Sequence, residues 1–180
     1  MTSEAPDIPR PSQLWKPLSQ ERKTQAAEAF WQDENAAVEQ AEVIAAIAQR
    51  IKFRPKSVVA MPREKKARHL MALGSLSELV AARLLVAYHL AHQRPMMATF
   101  LDALGIKHDD GLIADEDVQP PPAEQLRAGA AKLSATYPAD DVALYLSTLV
   151  WQDPDTWGAL AEVPEVRSSD PGAGSGGQVA

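Results

Sequence analysis

The spacing of apolar residues in an alanine-rich chain is the feature that most limits what this protein can fold into. Alanine occurs 31 times among 180 residues, and it has the highest intrinsic helix propensity. Ala37, Ala41, Ile44, Ala48 and Ile51 recur at intervals of three and four residues, which places them on one face of a helix. Aromatic residues, which sheet-rich folds favour, are only 6% of the chain. The pattern therefore predicts an all-α fold.

Local signals for helix starts and ends divide the chain into elements. Ser19 precedes a helical run as an N-cap residue, and Pro62 suits the first position of a later helix. Ser75 and Glu78 have the spacing of a capping box that opens a helix ending near Gln93. Asp153, followed by proline, starts a short helix near the end of the chain. These signals predict a single-domain multi-helix bundle of about six to seven helices.

One segment, residues 106–120, lacks helical periodicity. It reads IKHDDGLIADEDVQP, and its Asp-Gly pair between short apolar pairs predicts a two-residue β-hairpin turn. A non-helical stretch of this length inside a helical domain is uncommon, and such loops often carry function. We therefore expect one longer irregular loop near 106–120, whose acidic stretch 109–117 is either a connector or a recognition or ion-binding loop.

The two ends of the chain differ in composition from its middle. Residues 1–17 are rich in proline, and residues 164–180 end in a Gly/Ser-rich stretch with little to bury. We expect a flexible N-terminal arm over 1–17, a helical domain over 18–163 and a disordered tail over 164–180. The N-terminus lacks the apolar core of a signal peptide, no apolar run reaches membrane-spanning length, and cysteine is absent. These features favour a cytoplasmic protein without a transmembrane segment.

The sequence contains none of the motifs that announce common catalytic or cofactor sites. The absence of cysteine excludes thiolate zinc sites and cysteine nucleophiles. The chain also has no Gly-x-Ser-x-Gly elbow, no P-loop and no dinucleotide-binding glycine pattern. We therefore assign no catalytic residue, no metal and no cofactor, and we expect a protein that is not an enzyme.

Residues 50–69 concentrate positive charge in an otherwise acidic chain. This segment has eight basic residues against the single acid Glu64, a net charge of +7, so the net charge of -6 leaves -13 for the other 160 residues. Such a basic stretch is suited to an acidic protein partner or to phosphate backbones. The candidate partner-binding residues are Arg50, Lys52, Arg54, Lys56, Arg63, Lys65, Lys66 and Arg68.

The helix over 76–93 supplies candidate ligand-binding residues. His89 and His92 lie one turn apart, so both imidazoles could face one ligand, although a zinc site needs a third protein ligand. Arg83 projects from the face expected to be buried, where it needs an acidic partner. Asp102 or an acid of the 109–117 loop is the expected partner.

Three functional hypotheses follow. The leading one is a non-enzymatic helical interaction or adaptor domain that contacts another protein, or a second copy of itself, partly through residues 50–69. The first alternative is a nucleic-acid-associated protein that uses the same basic segment. The second alternative is a small-ligand-binding protein or enzyme, with a pocket between helix 76–93 and loop 106–120 formed by Arg83, His89 and His92.

Overall fold

The computed structural model describes residues 8–167. Helices form nearly all of the regular structure in this part of the chain, and the only strands there form a minimal two-stranded sheet. The predicted all-α class is thus confirmed. The described residues fall into two compact units, Arg10–Gln93 and the chain from Arg94 onward. The expected extent of one helical domain, 18–163, stays a prediction.

The first unit consists of six α-helices and one 3₁₀ turn. Its longest helices pack together because their apolar faces supply Ala27, Phe30, Ile47, Leu84 and Leu85, all of them buried. Helix α2 contacts both α5 and α6, and α3 contacts α4, α5 and α6. The elements are α1 Pro11–Trp15, α2 Gln20–Gln32, the 3₁₀ turn Glu34–Ala36, α3 Ala37–Ile51, α4 Pro55–Val59, α5 Arg63–Met71 and α6 Glu78–His92.

The second unit consists of five α-helices, one 3₁₀ turn and a short antiparallel hairpin. Its core includes Phe100, whose ring meets the rings of Tyr145 and Trp157, together with Leu126 and Leu146. The elements are α7 Arg94–Ala103, β1 His108–Asp109, β2 Leu112–Ile113, α8 Ala123–Thr136, α9 Ala139–Gln152, α10 Pro154–Trp157, the 3₁₀ turn Gly158–Glu162 and α11 Pro164–Arg167.

The described residues contain eleven α-helices, more than the six to seven that the sequence predicted. The helices that the sequence did not predict include α1, α4 and α11, which have only four or five residues. A helix of one turn shows no measurable apolar period and is stable only through its tertiary packing. Among the helices of this part of the chain, none combines the length and the apolar character that a membrane crossing requires.

Residues 1–7 of the expected flexible arm lie outside the described residues, and part of the remainder of that arm is helical. Residues Pro11–Trp15 form α1, which packs on α6, and the Trp15 side chain is buried. The Glu78 carboxylate accepts hydrogen bonds from the Ser12 amide at 3.0 Å and from the Ser12 hydroxyl at 2.6 Å. A buried tryptophan and a charge-assisted pair of hydrogen bonds therefore anchor a segment whose proline content suggested mobility.

Replacing Ser12 with alanine is expected to lower the free energy of unfolding by about 2 kcal/mol, because hydrogen bonds to a charged group typically contribute about 1.5–3 kcal/mol. Ser134→Ala is the matched control, since its hydroxyl makes an exposed 3.3 Å hydrogen bond to Glu165; it should change stability by less than about 0.5 kcal/mol. Urea unfolding of both variants measures the difference. Equal effects of the two substitutions would contradict the anchoring role of Ser12.

Several predicted helix boundaries are confirmed and others shift by a few residues. Ser19 caps α2 by accepting a hydrogen bond from the Arg22 amide, and Asp153 caps α10 through the Thr156 amide. The predicted capping box is wrong, because Ser77 rather than Ser75 caps α6 and the Glu78 carboxylate is bound to Ser12. Pro62 is the N-cap of α5 rather than its first residue.

The predicted hairpin forms within the loop that joins α7 to α8. His108 pairs with Ile113 and Asp109 with Leu112. Asp110 and Gly111 both have positive φ, 47° and 86°, as a two-residue turn of the type favoured in hairpins requires. The loop around the hairpin is otherwise irregular, as the sequence predicted.

At the C-terminal side, the residues that the structure describes continue beyond the expected end of the helical domain at 163. Pro164–Arg167 form α11, which packs against α8 and α9, and Val166 is buried. The buried apolar side chain of Val166 explains why the first residues of the predicted tail, 164–167, join the fold. The remainder of the predicted tail, residues 168–180, lies outside the described residues.

Candidate interaction surface

The backbone between α3 and α5 makes two sharp changes of direction within the basic segment. The amides of Lys52 and Phe53 both donate to the Ala48 carbonyl, and Lys52 has a left-handed conformation with φ 59°, which ends α3. Pro55 then opens α4. Val58 in α4 and Leu70 in α5 are buried, so these two short helices are anchored by their apolar sides.

The cationic side chains of this segment face solvent. Seven of the eight are exposed, and Lys66 is half-buried. Because α3 contacts both α4 and α5, the three helices present their charges on neighbouring elements of one unit. We call this set the basic surface: Arg50, Lys52, Arg54, Lys56, Arg63, Lys65, Lys66 and Arg68.

The charge of the basic surface is not neutralised by the folded chain around it. None of its eight residues forms a salt bridge with a residue between positions 8 and 167. Lys66 lies over the Trp31 ring, with its Nζ atom 4.8 Å from the ring centroid, which is a cation–π contact that keeps the positive charge. No described residue therefore forms a salt bridge that would offset these eight charges, and residues 50–69 keep their net charge of +7.

Two apolar side chains are exposed within the same segment. Phe53, between Lys52 and Arg54 in the chain, is 53% exposed, and Val59 at the end of α4 is 54% exposed. Single exposed apolar side chains are common in folded proteins. Two exposed apolar side chains beside cations that form no salt bridge in the described chain match the composition of protein–protein interfaces, where aromatic residues and arginine are enriched. The sequence did not single out these side chains, because only their packing shows that they face solvent.

Replacing Lys52 with glycine is expected to raise the free energy of unfolding by about 1 kcal/mol, because the left-handed conformation costs residues with a β-carbon about 1–2 kcal/mol and the greater freedom of glycine when unfolded offsets part of the gain. Lys52→Ala is the control, since it removes the same charge but keeps the β-carbon. Thermal unfolding compares the two variants. A gain in stability from both would show that charge repulsion, and not backbone strain, is relieved.

Arg83 has different partners from those predicted. Its guanidinium donates to the Asn35 carbonyl at 3.0 Å and lies 3.8 Å from an Asp33 oxygen and 3.9 Å from a Glu39 oxygen. The predicted pairing with Asp102 or with the 109–117 loop is therefore wrong. Arg83 instead joins α6 to the connection between α2 and α3, a contact in space that the spacing along α6 does not reveal.

The two candidate histidines of α6 lie in different environments. His89 is buried and His92 is exposed, and the Tyr88 ring contacts both imidazole rings, at centroid distances of 5.4 Å and 5.7 Å. The pKa of His89 is lowered to about 4, chiefly by burial; a backbone hydrogen bond with Leu85 opposes this shift, and the positive charge of Arg22 adds a smaller lowering. His89 is thus neutral near pH 7, and its side chain is part of the packed interior of the first unit.

His108 belongs to the hairpin rather than to the α6 histidines. Its Nδ1 atom accepts a hydrogen bond from the Gly111 amide at 3.0 Å, and its Nε2 atom lies 2.8 Å from an Asp102 oxygen. Since Nδ1 accepts, the proton of the neutral ring is on Nε2 and points to the Asp102 carboxylate. Both ring nitrogens are therefore used to hold the hairpin. Within residues 8–167, no three His, Asp or Glu side chains are grouped as a metal site would require.

An open groove of about 530 Å³ lies between α2 and α5. Its lining includes Glu28, Glu64, Arg68 and Met71, so carboxylates share the space with the arginine. Small-molecule sites are usually enclosed clefts that bury most of the ligand, whereas this groove is open to solvent. The groove does not involve Arg83, His89 or His92, and it gives no support to the predicted ligand pocket.

Comparison with known proteins adds no functional assignment. No protein-family model, no curated protein and no solved structure matches this chain. The function must therefore be argued from the chemistry of the described surfaces.

Proposed function

We propose that this chain is a non-enzymatic helical interaction domain whose basic surface binds an acidic segment of a partner protein. The single observation that carries the proposal is the set of eight basic side chains without a salt bridge to the described chain. Unpaired charge of one sign on neighbouring helices attracts a partner of the opposite sign and orients it during association.

A protein partner is favoured over nucleic acid by two features. Phe53 and Val59 expose apolar area beside the cations, and an acidic protein segment with apolar side chains can cover both the charge and the apolar area. The other 160 residues carry a net charge of -13, which repels a long phosphate backbone more strongly than a short acidic segment. We therefore propose a protein partner, and the experiment described below also detects binding to nucleic acid.

The decisive variant reverses Lys56, Arg63 and Lys65 to glutamate. All three are exposed and lie in the first turns of α4 and α5, where negative charge is favourable to the helix dipole, so the fold should tolerate the change. The matched control reverses Lys16, Arg127 and Lys132, which are exposed residues outside the basic surface. Both triple variants alter the net charge by the same amount.

Zero-length carbodiimide coupling of the wild-type chain in extract from its native cells is expected to join Lys52, Lys56, Lys65 or Lys66 to Asp or Glu side chains of a partner. The triple reversal at Lys56, Arg63 and Lys65 keeps the amines of Lys52 and Lys66, and through these two lysines it should capture the same partner at least about tenfold less than wild type, a loss of about 1.4 kcal/mol. The control should capture it normally. Equal capture by both variants contradicts the proposal. Capture that disappears after nuclease treatment would assign the surface to nucleic acid instead.

A further inference from the structure

The hairpin segment, residues 107–117, carries charge opposite to that of the basic surface. It has five acids against Lys107, a net charge of -4, and all five acidic side chains are exposed. None of the five forms a salt bridge with a residue of the described chain. We call this segment the acidic hairpin, with the acids Asp109, Asp110, Asp115, Glu116 and Asp117.

The acidic hairpin also exposes two apolar side chains. Leu112 is 40% and Ile113 37% exposed, although both are in a strand. Gly111 and its turn are held against α7, with the Arg94 guanidinium 3.4 Å from the Asp110 carbonyl. The segment is thus a docked hairpin that presents two aliphatic side chains flanked by carboxylates, and not an unstructured acidic stretch.

The two surfaces are complementary in both charge and polarity. The basic surface combines Phe53 and Val59 with cations that form no salt bridge among residues 8–167, and the acidic hairpin combines Leu112 and Ile113 with carboxylates of which the same is true. Contact between them would bury the four apolar side chains and surround them with opposite charges, which is the usual arrangement of an apolar interface centre and a polar rim. Like-charged surfaces of two copies would repel in any other pairing of these patches.

We infer that the acidic hairpin of one copy docks on the basic surface of a second copy, so that the chain self-associates. The inference rests on the proposed function, since it uses the same basic surface, and it names the second copy as an occupant of that surface. Because the contact joins two different patches, it produces either a reciprocal dimer or a longer head-to-tail assembly.

A charge-swap experiment tests this pairing. The basic-surface variant, with Lys56, Arg63 and Lys65 changed to glutamate, should sediment as a monomer, since the net charge of residues 50–69 falls from +7 to +1 and most of the attraction for the hairpin is lost. A hairpin variant, with Asp115, Glu116 and Asp117 changed to lysine, should also be monomeric. Mixing the two should restore an assembly of both chains, because each native surface then meets an oppositely charged one. If the mixture stays monomeric while both variants are folded, the inference is wrong.

Cross-linking of the wild-type chain provides a second readout that needs no variant. Carbodiimide treatment of a mixture of unlabelled chain and chain labelled with heavy nitrogen should join Lys52, Lys56, Lys65 or Lys66 of one isotope to hairpin acids of the other. Wild-type association should weaken about tenfold or more between about 50 mM and about 500 mM salt, because the surface charges become screened. Cross-isotope products that lack the hairpin, or a wild-type monomer at low salt, would overturn the inference.

The failure of this inference can be told apart from that of the proposed function. A monomeric wild-type chain whose basic surface still captures a different acidic protein leaves the proposed function standing and removes the second copy as the occupant. A self-associating chain that recruits its cellular partner equally well after reversal of Lys56, Arg63 and Lys65 leaves the pairing of copies standing. The control with Lys16, Arg127 and Lys132 reversed should behave as wild type in both assays.

Discussion

Replacing Gly111 with alanine is expected to lower the free energy of unfolding by about 3 kcal/mol, which combines about 1–2 kcal/mol for a β-carbon at positive φ with about 1–3 kcal/mol for overpacking. A β-carbon at this position would lie 2.8 Å from Met97 Cβ, 3.0 Å from the Arg94 carbonyl oxygen and 3.3 Å from the Ala98 amide nitrogen. Two of these atoms belong to the backbone of α7, which cannot move aside as a flexible side chain would.

Two other glycines, Gly105 and Gly74, allow the contributions of backbone strain and overpacking to be separated. Gly105 also has positive φ, 68°, but no atom lies within 4 Å of its virtual β-carbon, so Gly105→Ala should cost about 1 kcal/mol from backbone strain alone. Gly74 has neither feature, and Gly74→Ala should be neutral or stabilise by less than about 1 kcal/mol. Urea unfolding measures the series, and hydrogen exchange at the hairpin amides reports whether the turn has left α7. Equal effects at all three glycines would contradict the close approach at Gly111.

Acidification from about pH 7 to pH 4 is expected to lower the free energy of unfolding by about 3 kcal/mol through His89 alone. Burial lowers the pKa of this imidazole from its ordinary 6.5 to about 4 in the folded protein. Between these two values the unfolded chain binds a proton that the folded chain does not, so stability falls as pH falls. The contribution is complete above the unfolded pKa and is lost once the folded pKa is reached.

The variant that tests this origin is His89→Gln, which removes the titration and keeps a polar side chain. Its stability should vary little between about pH 6.5 and pH 4, whereas His92→Gln, at an exposed position, should retain the wild-type slope. The titration of Asp153 falls outside this pH range. Hydrogen bonds with Thr156 lower the pKa of Asp153 from 3.8, so the contribution of Asp153 to stability is lost only at lower pH. An unchanged slope in His89→Gln, measured by urea unfolding at several pH values, would show that other groups cause the acid sensitivity.

The sequence predicts the elements whose formation depends on neighbouring residues. Ser19 and Asp153 cap helices wherever their side chains reach the next free amides, and Gly105 ends α7 with positive φ, as a glycine beyond a helix does. The Asp110-Gly111 pair forms the hairpin turn because these two residue types adopt positive φ at low cost. Each of these structures is determined within about four residues of the chain.

Contacts between residues that are far apart in the chain could not be predicted from local sequence patterns. Glu78 has the spacing to close a capping box with Ser75, yet its carboxylate binds Ser12, which is 66 residues away. Arg83 was expected to need an acid, and the need was correct, but the acids are Asp33 and Glu39 of its own unit. A charged side chain on a face expected to be buried indicates that it needs a partner of opposite charge. The packing of the helices then decides which partner lies within reach.

Some features of the candidate interaction surface can be predicted from the sequence, and others depend on the tertiary structure. The charges of the eight basic residues and of the acidic hairpin can be counted directly from the sequence, because they depend on residue type and not on packing. The exposure of Phe53, Val59, Leu112 and Ile113 is not visible, because an apolar side chain is buried or exposed according to what packs on it. The sequence by itself therefore determined the helical class, the local caps and turn, and the sign of the charge in each segment. Only the tertiary structure decided which cations are left unpaired and which apolar side chains face solvent, because both depend on contacts between residues far apart in the chain.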